Sequence, residues 1–262
     1  MRKLKTVNLL YTLIIVALFG LSTIQAKGNK SHTILENAEN IKIISQSLAK
    51  NYFYINQGLQ TSSAKRGLKK DIFNLDKSIK AIQGSAQDQQ TKDLIQFAQF
   101  STEELKDILK EPYSPENGGL ILDYTEALLE SSDTIVKYQM VKNPNKNVEM
   151  LLMVVDMKYL LSRAAKYYIA FSAGFTDAVN VSQANIAVDE FGKLLAKVEV
   201  YNYPPEISKR VIRKLSRYWP SSKSFYRGIK KSELPTIIFI STKHMDRSID
   251  KLIKYHTKLI NK

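Results

Sequence analysis

Cysteine is absent from the chain. That excludes disulfides, thiolate metal sites, thiol nucleophiles and lipid attachment through an N-terminal cysteine. Only three histidines occur, His32, His244 and His256, and no Glu-x-x-His spacing prepares a di-metal site in a helical bundle. His244 and His256 lie twelve residues apart, too far to share a metal, and read as surface or hydrogen-bonded histidines. Glycine and proline together number 17 of 262 residues, few for a sheet protein built on tight turns, and this scarcity favours helices. No nucleophile sits at a visible spacing from a base, so neither catalytic residues nor a metal or other cofactor are expected, and the chain reads as non-enzymatic.

What is present is unevenly distributed. Residues 1–26 carry three cations and no anion; residues 27–146 carry 16 basic against 15 acidic groups; residues 147–262 carry 20 against 10. The first block reads as a targeting segment. Arg2, Lys3 and Lys5 precede a mostly apolar run from Val7 to Ile24, and Ala26 supplies a small residue before polar Lys27-Gly28-Asn29-Lys30. A cleaved signal peptide over 1–26 and a periplasmic location follow, with an inner-membrane anchor over 7–24 as the alternative.

The rest of the chain contains an internal repeat. At an offset of 116, Lys42 falls on Lys158, Ala49 on Ala165, Lys50 on Lys166, Tyr52 on Tyr168 and Gly58 on Gly174. Near the ends of the halves, at an offset of 117, Thr125 falls on Thr242, Asp133 on Asp250, Lys137 on Lys254 and Tyr138 on Tyr255. Between these two blocks the match is weak, although Phe73 and Phe191 both begin an amphipathic stretch. The apolar stripes match too: Ile41, Ile44, Leu48, Tyr52, Ile55 and Leu59 take the same steps as Met157, Leu160, Ala164, Tyr168, Phe171 and Phe175. Steps of three and four define one face of a helix.

Helices are predicted over 32–59, 65–83, 90–110 and 118–141, then over 148–176, 182–200, 206–229 and 234–260. Gln83–Gln90, Pro112–Gly119, Tyr203-Pro204-Pro205 and Ser232–Pro235 break the halves internally, and Asn143-Pro144-Asn145 separates them. The expected fold is all-α: two tandem up-and-down antiparallel four-helix bundles, 30–142 and 147–262, after the N-terminal signal segment.

The run Ala38-Glu-Asn-Ile-Lys42-Ile-Ile-Ser45-Gln46-Ser-Leu-Ala49-Lys50 resembles the first helix of the PilJ/NarX-type ectodomain. That domain occurs in type IV pilus chemotaxis transducers and nitrate-sensing kinases. Its pattern is roughly Ala-Gly-x-x-Arg-Met-x-Ser-x-Arg, continuing Ile-Ala-Lys. The second half resembles it through Lys158, Arg163, Ala165 and Lys166, and Trp219 and Phe225 are also similar to that family. The resemblance implies an anion between two first helices, with Lys42 and Lys158 at the position of one family arginine and Ser47 and Arg163 at the other. Lysine there balances charge but lacks the planar fork of arginine. The family glycine falls on Glu39 and Val155.

Lys42, Lys158, Arg163, Lys50 and Lys166 are therefore the candidate ligand residues, for a small anion or organic acid. If the halves pack as a pseudo-dimer, Lys42 and Lys158 would face each other across it. Read from their place beside the apolar stripe alone, they are solvated helix lysines, with Lys50 and Lys166 as flanking charges. Tyr52, Tyr168 and Phe171 fall on the stripe and read as core.

Between Ile207 and Lys231 stand nine cations and no acid. Lys209, Arg210, Arg213, Lys214 and Arg217 form its first block, with Tyr218, Trp219, Phe225 and Tyr226 among the later ones. Such a surface suits anionic lipid headgroups or an acidic partner; export disfavours nucleic acid. The expected function is an exported sensor-type module that binds a small ligand, a membrane sensor or chemoreceptor, or both. The alternative is a ligand-free structural adapter using 207–231.

Overall fold

The computed structural model describes residues 3–142, 148–231 and 234–260, with side chains over 30–141, 148–231 and 234–260. The protein is all-α, and no strand occurs among the described residues. The helices are α1 (Lys3–Asn56), α2 (Thr61–Ser85), α3 (Gln89–Ile108), α4 (Pro115–Lys142), α5 (Glu149–Ser172) and α6 (Ala178–Glu199). A helical turn Pro205–Ile207, a π-helical segment Ser208–Ile212 and an α-helix Arg213–Arg227 then follow without interruption and together form α7. The last helix is α8 (Pro235–Ile260). The segment expected over 1–26 lies outside the residues whose side chains are described, and the breaks at Asn143-Pro144-Asn145 and Ser232-Glu233 lie outside the described residues. Among those described, no helix is long and apolar enough to cross a membrane.

Helix ends follow local chemistry that places several boundaries earlier than the hydrophobic pattern does. Helix α6 begins at Ala178, not near 182, because the Asp177 carboxylate accepts the Asn180 amide at 2.9 Å. Helix α4 begins at Pro115, not near 118, because Ser114 Oγ accepts the Asn117 amide at 3.0 Å and proline suits the first helical position. The ends of α1 and α5 are built alike. Gly58 and Gly174 adopt φ of 68° and 101°, and the amides of Leu59 and Phe175 return to the carbonyls of Tyr54 and Ala170 at 2.9 and 3.0 Å. This is the same glycine-terminated cap, displaced by the repeat offset.

Two apolar cores result. One joins α1–α4 and takes Tyr167, Ile169 and Ala170 from α5. The other joins α5–α8 through Leu160, Ala164, Tyr168, Phe191, Leu195, Trp219, Met245, Ile249 and Leu252. Helix α5 serves both, so every residue from Leu160 to Ala170 is buried; a helix enclosed on all sides has no solvated face. Helix α1 packs on α2, α4 and α5, and α5 on α6, α8 and α1. Lys42 meets Asp156 and Phe53 meets Phe175, so α1 and α5 run parallel, side by side, along a central seam.

Phe73 and Phe191 do not occupy equivalent places. Phe73 is 69% exposed while Phe191 is 1% exposed against Trp219, with ring centroids 4.3 Å apart. The buried residues that match at the offset of 116 are Leu75, Ile79 and Ile82 against Phe191, Leu195 and Val198. In this stretch the buried face carries the offset and the shared aromatic does not.

Candidate functional site

The seam between α1 and α5 has two flanks. Helices α4 and α6 close one, and α2 and α8 border the other. The closed flank is filled with paired charge. Lys42, 4% exposed at its side chain, donates to Asp156 Oδ1 at 2.8 Å, with Asp133 at 3.4 Å and Glu39 at 3.5 Å. Its ammonium also lies 4.9 Å from the centroid of the Tyr159 ring. Burial alone would lower its pKa, but three carboxylates outweigh it and hold Lys42 above the ordinary lysine value. Glu39 carries the cost: burial pushes its carboxyl up to about 7, and its Oε2 has no hydrogen-bond partner.

Further along, the Arg163 guanidinium takes Glu126 in a two-pronged pair at 2.9 and 2.6 Å and donates to Gln183 at 2.9 Å. Lys166 is fully buried, pairs with the same Glu126 and sits 4.1 Å from the Tyr167 ring centroid. Burial lowers Lys166 to about 8. Burial would raise Glu126, but Lys166 and Arg163 hold it below its usual range.

The open flank is different. A cleft of about 610 Å³ lies between α1, α2, α5 and α8, lined by Ser47, Lys50, Lys70, Asp71, Asn74, Lys77, Lys158, Ser162, Asp246 and Asp250 among others. A second, more apolar cavity of about 370 Å³, with Leu151, Leu152, Val155 and Ile253 in its wall, shares Glu36, Asn40, Ile43, Lys158 and Asp250 with it. Lys158 pairs with Asp250 and lies 3.6 Å from Asp246. Burial would lower it, but Asp246 and Asp250 hold it above the ordinary value. Lys50 is half-buried and has no hydrogen bond or ion pair among the described residues; burial lowers its pKa, against the more distant pull of Asp246 and Asp71. Asp71 accepts from Asn51 Nδ2 at 2.9 Å, and burial raises it.

The flanks are counterparts. Each of Lys42 and Lys158 pairs with an aspartate on the fourth helix of its own half, Asp133 and Asp250, one repeat apart. Lys166 and Lys50 are repeat partners, and both look across the seam toward a carboxylate on the other half, Glu126 and Asp246. One difference lies at the head of each flank: α5 carries Arg163, whose guanidinium fills the closed flank, and α1 carries Ser47, which lines the cleft.

The expectation of solvated lysines is corrected for Lys42 and Lys166, because α1 and α5 are each buried from two sides. The facing-lysine arrangement is corrected as well: Lys42 is held by Asp156 of α5 and Asp133 of α4, and Lys158 by Asp250 of α8, with internal carboxylates where a shared anion was expected. Only Lys50 and Lys158 come together at one open site. Sequence reasoning missed Glu126, Asp156, Asp246 and Asp71. Of the carboxylate partners, Asp133 and Asp250 left a signal by matching in the repeat, and Glu39 by standing at the family glycine position.

Tyr52 and Tyr168 are buried as expected, Phe171 partly so. His256 is buried and meets Tyr203 Oη at 2.8 Å, and His244 stacks on Tyr218. Lys209, Arg210, Arg213, Lys214 and Arg217 are all exposed on α7, away from the cleft. No group of His, Asp and Glu among the described residues is arranged to hold a metal ion. No protein-family model, curated protein or solved structure matches this chain.

Proposed function

We propose that the protein is an exported, non-enzymatic sensor-type module that binds a small organic acid in the seam cleft. In this reading α1–α4 and α5–α8 are two tandem four-helix units of PilJ/NarX-like character, fused so that their first helices meet as those of a dimer would. Shared caps, shared Lys–Asp pairs and the near-equal offsets of 116 and 117 support that organisation. The observation that carries the ligand reading is Lys50, the one candidate cation with no ion-pair partner among the described residues, set in a polar cleft whose counterpart is sealed by Arg163. The ligand's carboxylate meets Lys50, and an amino group on the same molecule finds Asp71 and Asp246. The adjoining apolar cavity favours an organic acid over a bare inorganic anion. Signalling then passes to a membrane sensor or chemoreceptor.

The test is a thermal-shift screen of the full chain with amino acids, short mono- and dicarboxylates, nitrate and sulfate. A ligand at a hundred times its dissociation constant stabilises by about 2.7 kcal/mol, readily seen as a rise in melting temperature. One organic acid should give a saturable rise that Lys50→Met abolishes. Equal, non-saturating effects of all anions, or a rise unchanged in Lys50→Met, would sink the reading.

A further inference from the structure

The basic block of α7 is left unused by the cleft, and its surroundings give it a direction. Lys209, Arg210, Arg213, Lys214 and Arg217 recur at positions that share one helical face, while Val211, Ile212, Leu215 and Trp219 are buried on the other. Among the described residues none of the five cations has an ion-pair partner. In α7 such a pair is made by Arg227, with Asp189. The nearest acids in sequence are Glu206, exposed just before the block, and Glu199, which accepts from Ser216. The loop leading into α7 exposes apolar groups beside these charges: Val200 is 86% exposed and Tyr201 36%.

This corner lies at one particular end of the molecule. Tyr203 bonds His256 of α8, and His32, Val148, Thr257 and Ile260 border one cavity. The start of α7, the end of α8 and residue 32 of α1 are therefore neighbours. From that end α1 continues back as helix to Lys3, through the apolar sequence Val7–Ile24.

We infer that the basic face of α7, with the Val200–Tyr201 tip, rests on an anionic lipid surface at the end of the molecule from which α1 runs toward its apolar segment. The pattern is that of an interfacial contact: cations at headgroup level flank small apolar groups that dip below it. Each cation held near such a surface raises partitioning roughly fivefold. The arrangement is independent of the cleft and of its ligand.

The chain has no cysteine, so Val200→Cys accepts a single environment-sensitive dye. The labelled full chain is mixed with vesicles of phosphatidylcholine with and without phosphatidylglycerol. The apolar segment can enter both kinds, but the dye reports the tip. A blue shift is expected only with phosphatidylglycerol, and it should fade between about 0.15 M and 1 M salt. Replacing Arg210, Arg213 and Arg217 by Gln should weaken the response at least tenfold. Replacing exposed Lys65, Arg66 and Lys69 of α2 by Gln, the same loss of charge at the opposite end, should leave it intact. A shift equal in both vesicles, no shift in either, or an undiminished shift in the α7 variant would overturn the proposal. An absent vesicle response would point instead to an acidic protein partner.

Discussion

Glu39→Gln should make this protein more stable at neutral and alkaline pH. Glu39 is 5% exposed, and one of its carboxylate oxygens has no hydrogen-bond partner. Burial outweighs the opposing pull of Lys42, an ammonium 3.5 Å away that Glu39 shares with Asp156 at 2.8 Å and Asp133 at 3.4 Å. Burial therefore raises the Glu39 carboxyl from 4.5 to about 7. Over that interval the folded protein keeps a proton that the unfolded chain has released, so stability falls as pH rises from 4.5 through about 7. The gap corresponds to roughly 3 kcal/mol as an upper bound. Glutamine copies the protonated acid and cannot ionise. Urea unfolding followed by circular dichroism should show the variant more stable by about 1–3 kcal/mol near pH 8, and nearly equal to the parent near pH 4.5. A variant less stable near pH 8, or one whose difference is the same at both pH values, would refute the account of Glu39 as a buried acid in excess of its cation.

Three further substitutions probe other regions of the molecule. Glu126→Gln leaves Arg163 and Lys166 without their shared anion and should cost about 3–5 kcal/mol near neutral pH. Because Lys166 is depressed to about 8, the folded state binds fewer protons than the unfolded state from there up to the ordinary lysine value. Glu126 opposes that depression, so its removal lowers Lys166 further, the variant sheds this proton first, and its deficit should narrow as pH rises toward about 8; a deficit that widens would contradict the assignment. Leu75→Ala should cost about 2–5 kcal/mol, whereas Phe73→Ala should stay within about 0.5 kcal/mol. Equal costs in urea titrations would undo the repeat register.

The helices were legible because their apolar residues step by three and four and their breaks carry proline, glycine and serine. The boundaries that shifted, at Pro115 and Ala178, depend on single side-chain caps that a hydrophobic pattern does not register. The site was legible only as a set of residues. A stripe such as Ile41–Ile44–Leu48–Tyr52 marks one buried face, but α1 and α5 each have a second, formed by the other half of the chain. Residues on that second face, Lys42 and Lys166, looked solvated for this reason. The run Leu160–Ala170, rich in alanine and in large apolar groups, already contained the hint that α5 is enclosed on all sides. Partners such as Glu126 and Asp246 follow from which helices meet across the seam, and no local spacing encodes that.

The contrast between Arg163 and Ser47 has a consequence for stoichiometry. In a dimer of identical chains, any substitution that opens one flank opens its mate, and two equal sites answer the ligand together. A chain that carries both copies can change them separately. Here one copy of the position holds a guanidinium locked to Glu126 and the other holds a hydroxyl at the edge of a cleft. On the proposed reading such a molecule would take one ligand and respond along a simple hyperbola, with its second potential site serving as a permanent brace.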